Sequence, residues 1–292
     1  MKKKYLYILL SSIILILSIF LADFNNIFPI YGKKQKNSTV LKNNTSIANS
    51  VMSSNLIKIS NVSMKNSSIS NTSLVDFKKL KLDALPILMY HAIDDNIFGQ
   101  KELFIHTEMF AKQMKYLHDN GYTTLSFDEI KDYNKYKKPI IITFDDGYMD
   151  NYTNAYPVLK KYNFKATIFV ATKYLGSPSF LTIEQVKKMT DIISFESHTV
   201  SHAMLTKLPN NILNNECIES KNQIEKITGK SVIAIAYPSG MYNGTVTKVV
   251  KKYYTYGINS KFGYYKTTIG NYDIKRIGVS YLDTIDDFIK KI

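Results

Sequence analysis

The strongest constraint on the fold is an alternation of two hydrophobic patterns that begins at Leu85 and continues almost to the C-terminus. Short runs of β-branched and aromatic residues are separated by segments with helical spacing, which is typical of repeated βα units with parallel strands. The runs read PILMY, YTTLS, PIIITF, ATIFV, DIISFE, SVIAIAY, TYGIN and RIGVS. This α/β pattern predicts a small β/α barrel of about seven to eight strands, and a doubly wound open sheet is the competing interpretation.

One helix can be placed from its own pattern. Between Glu108 and Asn120, the residues Phe110, Met114 and Leu117 share one face, and Gly121 follows as the usual C-terminal glycine. In either of the two folds, the functional site lies where the parallel strands end.

The N-terminal part of the chain has a different composition. Residues 1–24 place three lysines before an uncharged apolar stretch from Tyr5 to Ala22, which predicts an export signal that leaves the rest of the chain outside the cytoplasm. Because no small-x-small cleavage site is evident, an uncleaved membrane anchor is favoured over a removed signal peptide and a secreted product. Residues 25–80 are rich in Asn, Ser, Thr and Lys and predict a flexible stalk. Residues 81–292 hold the folded domain.

Charge and cysteine content exclude several kinds of function. Residues 1–80 carry 11 lysines and two aspartates, a net charge of +9 out of +14 for the chain. The folded domain is therefore only mildly basic, and with no arginine-rich patch we expect no nucleic-acid partner. Cys217 is the only cysteine, so no internal disulfide or multi-cysteine zinc site exists, and a small buried side chain is expected there. We expect a monomer.

Two adjacent carboxylates, Asp145 and Asp146, end the apolar run PIIITF directly before Gly147. A turn is the simplest interpretation, since Asp-Gly is common in turns. Like charges this close repel each other, however, so a compensating charge is expected nearby. At a strand end that runs into glycine the backbone can turn, which would let the two side chains take different partners.

His198 and His202 follow a later strand run in the sequence SFESHTVSH. On a helical turn this spacing would place both imidazoles on one face, where they could bind a single metal ion with Asp146. Two surface histidines at a helix start are the alternative. Two histidines and a carboxylate also occur in non-haem iron oxygenases, but in those enzymes the carboxylate follows the first histidine closely.

These motifs resemble those of the polysaccharide deacetylases, carbohydrate esterase family four, over residues 85 to about 290. The family's Thr-Phe-Asp-Asp-Gly motif stands as Thr143 to Gly147, and its His-Ser/Thr-x-x-His motif as His198 to His202. The resemblance implies a distorted, partly open β/α barrel, with Asp145 as general base. It implies Asp146 and the two histidines as ligands of a divalent metal, most often Zn²⁺, with Co²⁺ or Ni²⁺ as alternatives.

The third family motif, Arg-x-Pro-Tyr, is altered. It reads here Ala236, Tyr237, Pro238 and Ser239, so the arginine and the tyrosine are both replaced. By the resemblance, the last three residues are expected to contact the substrate, with a backbone N–H at Ser239 stabilising the oxyanion.

The family's tryptophan and late histidine are also missing, because the chain has no Trp and no histidine after His202. Arg276, on the last strand run, is expected to orient Asp145. His91 ends the first run, and since first and last strands are neighbours in a barrel, it is expected to replace the late histidine as the acid. The context LMYH resembles the subgroup that acts on poly-N-acetylglucosamine in biofilms. His106 and His118 are interpreted as structural or exposed, and Asp94 and Asp95 as a turn.

The resulting hypothesis is an extracellular, metal-dependent hydrolase that removes N-acetyl groups from an N-acetylglucosamine polymer, either an exopolysaccharide or peptidoglycan. Two alternatives remain open. One is an O-acetyl esterase acting on xylan, and the other is a catalytically silent sugar-binding protein at the cell surface, which the lost family residues would explain.

Overall fold

The computed structural model describes residues 84–292 of the chain. The ten strands are β1 (Ile87–Tyr90), β2 (Ala92–Ile93), β3 (Phe104–Ile105), β4 (Thr123–Leu125), β5 (Pro139–Phe144), β6 (Ala166–Val170), β7 (Ile193–Ser197), β8 (Ala234–Ala236), β9 (Tyr256–Phe262) and β10 (Ile274–Gly278). The six α-helices are α1 (Thr107–Asp119), α2 (Tyr156–Lys161), α3 (Ile183–Met189), α4 (Asn210–Thr228), α5 (Gly244–Val250) and α6 (Ile285–Lys291). The predicted signal or anchor at residues 1–24, with its apolar stretch, lies outside the described residues. The predicted stalk at residues 25–80 also lies outside them. Within residues 84–292, no helix is both long and apolar enough to cross a bilayer.

Seven parallel strands form a closed barrel, in the order β1, β10, β9, β8, β7, β6, β5. The ring closes because β5 pairs with β1 along Ile141 to Phe144, while β4 pairs with the first residues of β5 as an additional strand. Each of the eight apolar runs overlaps one of these strands, so the α/β class and the β/α barrel are confirmed. The neighbouring first and last strands are also confirmed, since β1 pairs with β10.

Alternation along the strands produces two separate cores. On β5, Ile140, Ile142 and Phe144 belong to the core between barrel and helices, whereas Ile141 belongs to the core inside the barrel. By the same alternation Thr143 and Asp145 continue the inward row, so the base predicted from the sequence points into the barrel at the carboxyl end of its strand.

The barrel is weakest between β7 and β8, where Ser197 and Ile235 are the only paired positions. The Glu196 carboxylate lies across this seam and accepts hydrogen bonds from the N–H groups of Ile233 and Ala234, at 2.9 and 2.8 Å. Burial raises the pKa of Glu196 to about 8. A side chain thus replaces strand pairing here, and the barrel is distorted beside the histidine motif.

Helix α1 matches its predicted position and ends before Gly121, whose φ of 68° requires glycine-like freedom. Its start is stabilised by Asp95, which accepts hydrogen bonds from the N–H and hydroxyl of Thr107 and pairs with His106. Asp94 and Asp95 are both expected in a turn. Of the two, only Asp94 forms one, because its carboxylate accepts the N–H of Asn96. Cys217 is buried on α4, as expected, and burial raises the pKa of its thiol to about 12.

Candidate metal centre and catalytic groups

The two adjacent aspartates diverge because the chain turns sharply after β5. Asp146 and Gly147 both adopt left-handed backbone conformations, with φ of 71° and 79°. A Cβ at residue 147 would lie 2.8 Å from Cγ1 of Val170, so glycine is required by both torsion and space. The turn sends Asp145 into the barrel and leaves Asp146 at its rim.

Asp146, His198 and His202 form the one group of potential metal ligands within residues 84–292, with ligand atoms all within 4.8 Å of one another. Oδ1 of Asp146 lies 3.5 Å from Nε2 of His198 and 3.4 Å from Nε2 of His202. Two atoms that each bind one tetrahedral zinc ion at 2.0–2.1 Å are about 3.3 Å apart. The spacing therefore fits a shared metal ion.

The protonation of His198 supports the same interpretation. Its Nδ1 lies 2.8 Å from the carbonyl oxygen of Ala236 and must donate a hydrogen to it. Burial lowers the pKa of His198 to about 4, so the ring is neutral and Nε2 holds a lone pair. A lone pair facing a carboxylate oxygen is repulsive unless a cation lies between them, and a histidine fixed through its other nitrogen is typical of metal ligands.

The histidine motif is not helical, so the helical turn predicted from the four-residue spacing of His198 and His202 is wrong. Residues 198–202 form a loop after β7, in which Thr199 and His202 have φ of 68° and 58°. The Thr199 hydroxyl accepts the N–H of His202 at 3.1 Å, and the two imidazole rings lie 4.8 Å apart between centroids. The tight loop, rather than a helical turn, brings both rings to one point.

Asp145 forms a bidentate ion pair with Arg276, at 2.7 and 2.6 Å between nitrogen and oxygen atoms. The guanidinium also donates to the Thr143 hydroxyl and to the carbonyl of Asn259, and lies over the Phe169 ring. Burial alone would raise the pKa of Asp145, but the charge and hydrogen bonds of Arg276 outweigh it and hold that pKa well below its usual range. Asp145 is ionised and fixed in orientation.

His91 lies at the end of β1 on the same side of the site as Asp145, with 3.9 Å between its Nε2 and Oδ2 of Asp145. About a fifth of its side chain is exposed, so the ring borders both the buried base and the solvent. Side chains that follow the aspartate motif hold its backbone: Asn151 donates to the carbonyl of His91, and Asp150 accepts the N–H of Ile93.

The altered third motif is only partly placed as expected. Tyr237 donates its N–H to the carbonyl of Ile258 and its hydroxyl to the carbonyl of Tyr272, and its ring stacks on Tyr242 in the outer core. The structure therefore removes Tyr237 from the expected substrate contacts. Pro238 has no N–H to offer, whereas Ser239 follows it with φ of 55° and no backbone acceptor for its N–H within residues 84–292. Of the three residues expected to contact the substrate, Ser239 therefore keeps a backbone N–H that can be donated to an oxyanion.

Three residues near the site were not found from the sequence. Asp150 and Asn151 hold the backbone around His91, and Glu216 of α4 holds the histidine loop. The sequence DGYMDNY carries a weak signal for the first two, since polar residues follow a strand end there. Glu216 carries no such signal in the sequence, because a glutamate on an amphipathic helix usually faces solvent. His106 and His118 are both about half exposed and lie away from this group.

A parallel β/α barrel with an Asp-His-His cluster and a buried ionised aspartate at the strand ends has the groups that metal-assisted hydrolysis requires. Residues 132–257 match the family model described as polysaccharide deacetylase. The Bacillus subtilis protein YxkH, named as a polysaccharide deacetylase, is 40% identical over 203 residues, which cover 67% of this chain and 71% of that protein. The chain belongs to the polysaccharide deacetylase family, carbohydrate esterase family four.

Two further relatives are similar over most of the described region. The poly-β-1,6-N-acetyl-D-glucosamine N-deacetylase of Staphylococcus epidermidis is 32% identical over 216 residues, covering 66% of this chain and 74% of the relative. The deacetylase PplD of Streptococcus pyogenes, solved in complex with acetate, is 32% identical with a TM-score of 0.67, covering 71% and 97%. Deacetylases of this family are metal-dependent, and the Asp-His-His cluster provides a possible metal site.

Proposed function

We propose that this protein is an extracellular, metal-dependent deacetylase that removes N-acetyl groups from poly-N-acetylglucosamine and releases acetate. The observation that carries the proposal is the pairing of two sites at one strand end. Asp146 belongs to a potential metal cluster, and Asp145, its neighbour, is a buried, ionised carboxylate oriented by Arg276. A catalytically silent binding protein would have no need to keep both.

The choice of polymer rests on similarity and on His91. The Staphylococcus epidermidis relative is named for poly-β-1,6-N-acetyl-D-glucosamine, and the context of His91 resembles that subgroup. An amide substrate needs a proton donor, because an amine leaves poorly unless it is protonated. His91 is placed within 3.9 Å of the base, which supports N-acetyl over O-acetyl groups as the substrate.

Asp146, His198 and His202 would hold the metal ion, and a donor set of two imidazole nitrogens and one carboxylate oxygen suits Zn²⁺, with Co²⁺ or Ni²⁺ as alternatives. When bound, the ion would supply Lewis-acid chemistry at the acetyl carbonyl and at a water molecule. His198 contributes a neutral imidazole whose orientation is fixed by the carbonyl of Ala236.

The proton transfers belong to Asp145 and His91. Asp145 accepts a proton from the water as its oxygen attacks the acetyl carbon, and Arg276 keeps both carboxylate oxygens in place during this step. The Ser239 N–H stabilises the negative charge that develops on the carbonyl oxygen. When the C–N bond breaks, His91 donates a proton to the departing nitrogen, so that acetate and a free amino sugar result.

The location follows from the N-terminal sequence. Three lysines before the apolar stretch from Tyr5 to Ala22 favour an anchor with residues 33–292 outside the cytoplasm. Protease treatment of intact cells tests this proposal: we expect cleavage of the domain from intact cells. Protection until the cells are lysed would contradict it.

The activity test measures acetate release from three substrates: poly-β-1,6-N-acetylglucosamine oligomers, peptidoglycan and O-acetylated xylan. We expect the first to be hydrolysed fastest, with loss after chelation and recovery after Zn²⁺, Co²⁺ or Ni²⁺ is added. Asp146→Asn serves as the inactive control. A preference for xylan would identify an O-acetyl esterase, and no acetate from any substrate by the metal-loaded protein would favour the sugar-binding alternative.

A further inference from the structure

Helix α4 holds the histidine loop, residues 198–202, through the side chain of Glu216. Oε2 of Glu216 accepts the N–H groups of Val200 and Ser201, each at 2.9 Å, and Oε1 accepts the Ser201 hydroxyl at 2.7 Å. One carboxylate thus satisfies three donors of a five-residue loop. Charge-assisted hydrogen bonds of this kind are stronger than neutral ones.

A second contact from the same helix holds the start of the loop. Ser220 lies one turn after Glu216, on the same helix face. Its hydroxyl lies 2.8 Å from that of Ser197 at the end of β7, and the Ser197 oxygen accepts the N–H of Thr199 at 3.1 Å. Helix α4 therefore anchors the loop on both sides of Thr199.

The loop has a physical need for such anchoring. Thr199 and His202 both adopt left-handed conformations, which are strained for residues other than glycine and persist only where the surroundings hold them. The two histidines also differ in support. His198 is 3% exposed and fixed through its Nδ1, whereas His202 is 34% exposed. The position of the His202 ring therefore depends on the loop backbone.

We propose that Glu216 is a positioning residue for the metal centre: it holds the loop backbone so that Nε2 of His202 lies 3.4 Å from Asp146. This inference rests on the proposed metal-dependent function. Glu216 contacts no ligand atom itself and acts through the Val200 and Ser201 amides. Outer groups that orient ligands in this way typically contribute 10–100-fold to metal affinity.

The test compares Glu216→Gln with Glu219→Gln, an exposed glutamate on the same helix. Zinc affinity is measured by competition with a chromogenic chelator, and the visible spectrum of the Co²⁺-loaded protein reports ligand geometry. We expect Glu216→Gln to bind zinc about 10–100-fold more weakly and to change the Co²⁺ spectrum. Glu219→Gln should match the wild type within about twofold.

A second variant covers the case in which Glu216→Gln does not fold. Ser201→Ala removes one of the three hydrogen bonds on a half-buried residue, and we expect it to weaken zinc binding by about two- to tenfold. If a folded Glu216→Gln protein, or Ser201→Ala, binds zinc as tightly as the wild type, the positioning role of Glu216 is overturned. The proposed metal centre would still stand in that case. If the wild-type protein binds no zinc, the proposed metal centre fails together with this inference.

Discussion

The two sides of the site differ in how they compensate negative charge. On the side of β1 and β10, Asp145 is buried and paired with Arg276, so the protein itself provides the cation. On the side of β7, Asp146 lies beside the two histidines and the Tyr148 hydroxyl, and it has no lysine or arginine partner in the described part of the chain. One strand end can therefore carry two carboxylates because one is neutralised internally and the other is available to an external cation.

The two sides also differ in backbone support. The Asp145 side is built on paired strands, with Arg276 held by Thr143 and Asn259. The metal side depends on left-handed residues and on a seam where β7 and β8 share one paired position. We infer that the proton-transfer side is preorganised by the barrel, whereas the metal side is held by loops and completed by its ion.

The largest effect is expected from breaking the metal side. His198→Ala removes the best-fixed ligand, so metal binding should weaken by more than about 100-fold and acetate release should fall to background. Elemental analysis and initial rates measure both. His118→Ala, an exposed histidine on α1, is the matched control, and about one metal per chain in His198→Ala would contradict the assignment.

Breaking the proton-transfer side should leave the metal but slow the reaction. In Asp145→Asn the amide can still accept a hydrogen bond from Arg276 but cannot take a proton, so kcat should fall by about 10²- to 10⁴-fold. N-acetyl and O-acetyl substrates should be affected alike, because both need the attacking water. Steady-state kinetics on both substrates decide it, and a kcat within tenfold of the wild type is incompatible with a general base.

His91→Asn should distinguish the two proton transfers within that side. Loss of the acid should lower turnover of N-acetyl substrates by about 10²- to 10⁴-fold, but that of activated O-acetyl esters by less than about tenfold, since their leaving groups need little protonation. Rates on paired substrates provide the measurement. An equal loss on both, with reduced thermal stability, would mean that His91 only supports the strand end.

The smallest effect concerns the support of His91. Burial raises the pKa of Asp150 to about 7, so the folded state holds a proton that the unfolded state loses near pH 4. The contribution of Asp150 to the free energy of unfolding should therefore fall as pH rises, by about 2 kcal/mol between pH 5 and pH 7. Glu196, whose pKa is also raised by burial, adds its own fall with pH. Asp150→Asn keeps an acceptor for the Ile93 N–H and should remove the Asp150 share, so the loss of stability between the two pH values should be about 2 kcal/mol smaller than in the wild type. Denaturant unfolding at the two pH values measures it; an unchanged slope would contradict this origin.

Much of the fold follows from the sequence because each barrel strand overlaps a short run rich in β-branched and aromatic residues between helical segments. The positions of Asp145, Asp146, His198 and His202 could be identified because they end such runs. Their local conformations could not be predicted: four-residue spacing is compatible with both a helical turn and a tight loop, and the left-handed torsions of Thr199 and His202 occur in a loop that is hydrogen-bonded to the distant helix α4. Similarly, Tyr237 reads as a motif residue, but strand alternation turns its ring outward.

Long-range contacts explain the residues that were missed. Glu216 meets Val200 and Ser201 only because α4 packs beside the end of β7. Asp150 meets Ile93 and Asn151 meets His91, 57 and 60 positions earlier in the chain. No periodicity or local motif reports such pairings, since they depend on how the barrel closes.

The central claim is that the two adjacent aspartates have different partners and different tasks. Metal stoichiometry of purified Asp145→Asn and Asp146→Asn, measured side by side with the wild type after equilibration with Zn²⁺, tests it most directly. We expect about one zinc per chain in the wild type and in Asp145→Asn, and little in Asp146→Asn, because only Asp146 shares a site with the two histidines. Equal loss from both variants, or loss from Asp145→Asn alone, would contradict the division between the two carboxylates.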